Sequence, residues 1–358
     1  MSSILFYITG HGFGHAVRSS QVIRSLTELR ADLKVHVRTT APEWLFPPSV
    51  IHTRQSIDVG IAQRDSLDMD LEATLNACRA LQAKTAGLVD QELAFVRDHQ
   101  VRLITGDIPP LCFEIAGRAS IPSVAITNFT WNAIYRAYLE NYPEFAPFIE
   151  DMEVFYGKAT IALILPYPCD MDVFPRREPI PWIARSSALT REAARAKFKL
   201  PESATIVLLS FGGLGLSRFP LDRLNELRDF FFVATGEAKR QDANFLVLPD
   251  AQRHYEDLVR AVDVIVTKPG YGIVADVLAQ KLPMLYTDRG DFAEYPFLVQ
   301  ALNDLATAEF IPQSELLSGN IGPYLNRLLG MTPNWPQVSL DGAGAAARRI
   351  LALLDPPT

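Results

Sequence analysis

Twice along this chain a short apolar run ends in a cluster of glycines and gives way to a stretch of helical period, and that rhythm restricts the fold more than any other feature. The first instance is ILFYIT at residues 4–9, the turn GHGFGH at 10–15, and a helical pattern carried by Val22, Ile23, Leu26 and Leu29. Further apolar runs at 33–37, 101–105, 123–127 and 160–165 alternate with helical stretches, the longest over 71–98. The rhythm restarts with TIVLLS at 205–210 and continues through runs at 230–235, 245–248, 262–267 and 284–287. Strands alternating with helices bury both faces of a sheet, so each half predicts a doubly wound parallel sheet. Between them Pro166, Pro168, Pro175, Pro179 and Pro181 suppress any period. The expected organisation is an N-terminal domain over 1–168, a linker and domain entry over 169–200, a second domain over 201–338, and a terminal helical segment over 339–358 placed to pack back on the first domain.

A chain of 358 residues has the length for two such cores and a cleft between them. With 48% hydrophobic and 21% charged residues it is expected to fold throughout. A net charge of -7 argues against nucleic acid as a partner, because neutralising phosphates takes a basic face. Cys78, Cys112 and Cys169 are few, odd in number and far apart, which suits a reducing compartment such as the cytoplasm. No positively charged segment precedes the first apolar run, which reads as a strand and not a signal peptide. No run approaches a membrane span, leaving peripheral attachment as the only membrane contact to expect. Oligomeric state is not legible.

In open α/β sheets ligands sit beyond the carboxyl ends of the strands, so the loops there are the candidates. In the first, Gly12 and Gly14 free the backbone to approach a ligand, and His11, Phe13 and His15 flank it. The spacing G-x-G-x-G is not the dinucleotide fingerprint, which disfavours a redox dinucleotide. His15 is either a general base or a helix cap. Arg18, one turn on, meets either an anionic ligand or a surface carboxylate. Asp107, at the end of VRLITGD, either orients His15 or caps the helix near Pro110. Asn128 and Trp131, after the strand at 123–127, suit a hydroxylated acceptor, unless the indole belongs to the core.

In the second half Ser210, Gly212 and Gly213 follow a strand, and Lys268, Gly270 and Gly272 open a helix, a pattern that offers N–H groups and a cation to a diphosphate. Asp276, one turn into that helix, either accepts from ribose hydroxyls or is an ordinary solvated carboxylate. Asp291 and Glu294, in DRGDFAEYPFL at 288–298, suit hexose hydroxyls. No metal-ligand cluster is legible, so neither a metal nor any other cofactor is expected.

Taken together, Gly14-His15, FGG at 211–213, KPGYG at 268–272 and DRGDFAEYPFL resemble GT-B glycosyltransferases, among them the peptidoglycan N-acetylglucosaminyltransferase and the plant galactolipid synthases. TGHGFGH, LDMDLEATL, TNFTW, FGG and GYG are similar, more narrowly, to the amino-terminal glycosyltransferase-like half of plant L-arabinokinases. The resemblance runs from Ile8 to about Leu298. It implies the GT-B fold, two Rossmann-like domains facing across a cleft, with a nucleotide-sugar in the C-terminal domain and a small-molecule, lipid or glycan acceptor in the N-terminal one. It implies a histidine base at His15. It also implies diphosphate contacts at Gly212, Gly213 and Lys268 to Gly272, a ribose contact at Asp276, and donor-sugar contacts at Asp291 and Glu294. Many relatives carry glutamate where Asp276 stands, and no kinase half is present. The expected reaction is inverting, metal-independent transfer from a nucleotide-sugar, UDP-linked by analogy. A nucleotide-sugar 2-epimerase and a non-catalytic nucleotide-sugar-binding module are the alternatives.

Overall fold

A computed structural model describes residues 2–64, 69–211, 220–236, 240–249 and 251–355. The first sheet contains β1 (Ser3–Ile8), β2 (Lys34–Thr39), β3 (Ile51–Arg54), β4 (Val101–Asp107), β5 (Ser123–Thr127), β6 (Ile161–Ile164) and β7 (Arg177–Pro179). The second contains β8 (Thr205–Ser210), β9 (Phe230–Thr235), β10 (Arg240–Gln241), β11 (Phe245–Leu248), β12 (Val264–Thr267), β13 (Met284–Tyr286) and β14 (Ala308–Phe310). Their orders are β3-β2-β1-β4-β5-β6-β7 and β10-β11-β9-β8-β12-β13-β14, and all neighbours are parallel except β10 and β11. The central strands are apolar on both faces because helices cover both; every residue of β1 is buried.

In each sheet the strand order reverses once, beside β1 and β4 in the first and beside β8 and β12 in the second. The crevice that such a reversal opens is where α/β sheets bind ligands. Register brings Ile8 level with Asp107, and Ser210 level with Thr267. Both glycine loops therefore leave their sheets at the two reversal points.

Three local features differ from the sequence expectation. The stretch 71–98 forms two helices, Leu71–Gln82 and Thr85–Asp98, with no glycine or proline at the break. At that break the Thr85 hydroxyl turns back onto the Leu81 carbonyl at 3.0 Å. β3 went unread because its residues are largely exposed and carry no apolar run. β7 lies within the proline-rich stretch yet pairs with β6, carrying the first sheet beyond residue 168. Pro179 is accommodated there because an edge strand leaves one side of its backbone unpaired. The terminal helix Gly342–Leu354 packs against the helix Gly14–Leu29 of the first domain. A side chain at Gly342 would collide with the Pro181 carbonyl at 2.2 Å, so the return crossing requires glycine.

Behind the first sheet, His36 on β2 sits 5.0 Å from the His99 ring and edge-on to Phe95 at 5.2 Å. Burial, with the charges of Lys34, His99 and Arg38 adding to it, pushes its pKa from 6.5 down to about 4. In the interval between those values the unfolded chain binds a proton that the folded chain refuses. The share of stability due to His36 is thus complete above about pH 6.5 and falls as the pH is lowered toward 4. Thermal unfolding at pH 7 and pH 4.5 is expected to show a lower Tm in acid, and His36→Leu to narrow the gap.

Candidate active site

The helix Gly14–Leu29 begins at the end of β1, and its first turns set the geometry. His15, Arg18 and Ser19 occupy positions i, i+3 and i+4, hence one face, and that face meets Asp107 at the end of β4. His15 Nδ1 lies 2.8 Å from Asp107 Oδ1. Arg18 donates from Nε to Oδ2 at 2.7 Å and from Nη2 to Oδ1 at 2.5 Å, and the Ser19 hydroxyl donates to Oδ2 at 2.8 Å. Burial alone would raise the Asp107 carboxyl, but Arg18 and His15 outweigh it and hold its pKa at about 2. An ionised carboxylate only accepts hydrogen bonds, so toward Asp107 Nδ1 acts as the donor, which leaves Nε2 as the acceptor nitrogen of the ring; Arg18 Nη2 also lies 3.0 Å from Nδ1. The imidazole lines the cleft between the domains.

One of the readings the sequence left open falls away at each of three residues. Phe13 stands at the N-cap of the His15 helix and Pro110 at that of the next, neither with a side-chain cap bond, so neither His15 nor Asp107 caps a helix. Arg18 is 3% exposed and makes no surface salt bridge. Its Nη1 donates to Asn128 Oδ1 at 2.8 Å, Asn128 Nδ2 donates to Glu294 Oε1 at 2.6 Å, and Arg289 donates to Glu294 Oε2 at 2.7 Å. A buried polar chain therefore runs from Asp107 in one domain to Arg289 in the other.

The cleft encloses about 710 Å³ and is walled by both domains. From the first come His11, Gly12, Phe13, Gly14, His15 and Asp58; from the second, Ser210, Lys268, Gly270, Gly272, Arg289 and Glu294. The N-termini of Gly14–Leu29 and Tyr271–Gln280 both open on it without side-chain caps. A Cβ added to Gly272 would lie 3.8 Å from the Gly14 Cα, so the two glycine loops nearly touch. Uncapped helix starts leave N–H groups for an anion, and Lys268 adds a full charge. The positive field registers on His11: burial, reinforced by Arg289, His15 and Lys268, lowers its pKa to about 3. The His11 ring meets Trp131 edge-on at 5.3 Å and lies parallel to Phe292 at 6.4 Å. Phe13 packs edge-on against Trp44 at 5.8 Å.

Four other predicted residues do not stand where expected. Trp131 is fully buried and sends its indole N–H to Asp58 Oδ2 at 3.0 Å, so the core claims it as a wall and not as a sugar platform. Asn128 is likewise fully buried and spent on Arg18 and Glu294. Asp276 is 3% exposed and bonded by the backbone N–H and guanidinium of Arg185. It is Arg185, stacked 4.5 Å from the Tyr255 ring centroid, that lines the cleft. Asp291 is exposed outside the cleft wall, because the turn at 290 directs Phe292 and Glu294 inward instead. The Ser210 hydroxyl is shared with Tyr255 at 2.6 Å, though it remains on the wall. Gly212 and Gly213 lie outside the described residues. Asp58, Arg185, Phe129 and Arg289 were not anticipated. Arg185 falls in the stretch read as linker, and Asp58 follows the strand that had no apolar signature. Among the described residues no three metal-ligating side chains converge, and no helix is long and apolar enough to cross a membrane.

Two seven-stranded, doubly wound domains closing on one cleft define the GT-B fold, and comparison with solved structures agrees. The glycosyltransferase of kitacinnamycin superposes with a TM-score of 0.64 at 17% identity, covering 99% of both chains. UGT2 of Phytolacca americana, solved with UDP-2-fluoro-glucose and pterostilbene, gives 0.59 at 13% identity over 99% of this chain and 94% of that one. MurG of Acinetobacter baumannii gives 0.54 at 14% identity over 99% and 98%. More particularly, residues 2–172 match the family model described as glycosyl transferase family 1. The L-arabinokinase of Arabidopsis thaliana is 28% identical over 352 residues, which is 96% of this chain and 33% of that protein. The chain thus spans about a third of that relative's length. Both findings agree with the resemblance drawn from the glycine loops.

Proposed function

We propose that this protein transfers a sugar from a nucleotide-sugar, UDP-linked, to an acceptor hydroxyl with inversion and without a metal ion. The observation that carries the reading is the meeting in one cleft of two uncapped helix N-termini, Lys268, and an imidazole held by an ionised carboxylate. His15 Nε2 takes the acceptor proton as the acceptor oxygen bonds to the anomeric carbon. The bond from that carbon to the diphosphate breaks on the opposite face, and its electron pair leaves on the phosphate oxygen. Lys268 and the N–H groups at the start of Tyr271–Gln280, with Gly12 and Gly14 facing them, offset the charge that develops there, commonly the largest catalytic contribution. Arg185 takes over the place assigned to Asp276 beside the nucleoside. Glu294 exchanges one of its protein partners for a donor-sugar hydroxyl. The UDP-sugar complex of the Phytolacca structure supports the choice of UDP.

Lys268→Ala is expected to weaken UDP binding about 10-fold or more, the worth of one hydrogen bond to a charged group. A UDP concentration of about 100 Kd stabilises the wild type by about 2.7 kcal/mol, and a tenfold weaker variant at the same concentration by about 1.4 kcal/mol. Differential scanning fluorimetry reads the difference. Equal shifts for both proteins would remove Lys268 from the donor site.

A further inference from the structure

One carboxylate in the cleft is unused by the mechanism above. Asp58 stands on the first-domain wall, partly open to the cleft, a few residues past β3. Its Oδ2 accepts from Trp131 Nε1 at 3.0 Å and the Thr9 hydroxyl also reaches it, while the Ser56 hydroxyl lies 3.3 Å from Oδ1 but makes its shorter bond, 2.7 Å, to the Asp58 carbonyl. A carboxylate has about four acceptor positions, so these donors leave at least one for a ligand. The charge of His15 also acts on Asp58. Burial raises its pKa, an effect that the hydrogen bonds from Thr9 and Trp131 and the charge of His15 oppose. Keeping an acid partly buried carries a desolvation cost, and such costs concentrate at functional sites.

Trp131 explains the placement. Its ring centroid is 6.5 Å from that of His15, while its indole nitrogen fixes Asp58, so imidazole and carboxylate flank one indole. A buried indole with its sole donor committed holds the carboxylate in one orientation.

We propose that Asp58 is an acceptor-recognition residue, whose carboxylate binds a hydrogen-bond donor, hydroxyl or ammonium, carried beside the hydroxyl that His15 deprotonates. This rests on the transferase reading and extends it by naming the acceptor class: a small polyhydroxylated or amino-hydroxylated compound, with two adjacent polar groups spanning His15 and Asp58.

The test is calorimetric titration of glucose, xylose and glucosamine into the full chain with saturating UDP, for the wild type and for Asp58→Asn. The asparagine keeps an oxygen for Trp131 Nε1 and loses the charge. At least one probe is expected to bind the wild type saturably and to lose about 10-fold or more in affinity with Asp58→Asn, while UDP binds both proteins equally. Glucosamine binding more tightly than glucose would identify ammonium as the preferred donor, and parity would identify hydroxyl; either supports the proposal. Unchanged probe affinity in Asp58→Asn, or no saturable binding of any of the three to the wild type, would overturn it. Failure of UDP to bind the wild type would instead count against the donor reading, and the probe comparison, repeated without UDP, would still decide Asp58.

Discussion

His15→Ala is expected to lower kcat about 10²- to 10⁴-fold, the usual worth of a positioned general base, and to leave UDP binding within about a factor of three. The asymmetry follows from the site. His15 Nδ1 faces Asp107, so in the proposed reaction its other nitrogen serves the acceptor side, while the proposed diphosphate site is Lys268 and the helix start at Tyr271. Asp107→Asn is expected to be nearly as damaging for turnover. A neutral amide can offer its N–H to Nδ1, which would move the imidazole proton to Nε2 and remove the base. Single-turnover assays with a UDP-sugar, paired with calorimetric UDP titration, separate the two effects. Loss of UDP affinity equal to the loss in kcat would mean that His15 holds the fold of the glycine loop and does not move a proton.

The second large effect concerns folding. Arg18→Leu is expected to destabilise the protein by about 3–5 kcal/mol, because it leaves the buried Asp107 charge with only His15 and Ser19 as partners. Arg18 supplies two of the four hydrogen bonds to that carboxylate and a third to Asn128, all away from solvent. The double variant Arg18→Leu/Asp107→Leu is expected to recover part of the stability and none of the activity. Removing both charges abolishes the unpaired ion, yet leaves His15 without an orienting group. Urea unfolding of the three proteins measures this. A single variant within about 0.5 kcal/mol of wild type would show that the ion pair does not hold the glycine loop to β4.

Much of this arrangement was legible in the sequence because it follows from short-range rules. Apolar runs ending in glycine mark strands whose carboxyl ends feed loops, and that alone puts GHGFGH, Asp107 and KPGYG at the carboxyl ends of the sheets. What the sequence left hidden were partnerships between distant positions. Nothing near Asp276 signals that Arg185, 91 residues earlier, satisfies it, nor that Asn128 bridges Arg18 and Glu294. Trp131 was open to a reading as platform or as core, and its fully buried position decides for core. Asp58 lay beyond a strand whose exposed residues, Ile-His-Thr-Arg, hide its period. Asp291 and Glu294 are three residues apart, yet only the second is buried and on the cleft wall.

The account turns on a nucleoside diphosphate gripped between two facing helix starts within reach of His15. Isothermal titration of UDP, and separately of uridine, into the wild-type chain tests it most directly. UDP is expected to bind with one-to-one stoichiometry and uridine at least 10-fold more weakly, since the diphosphate meets Lys268 and the uncapped N–H groups. Equal affinity for the two, or no binding of UDP, would contradict it.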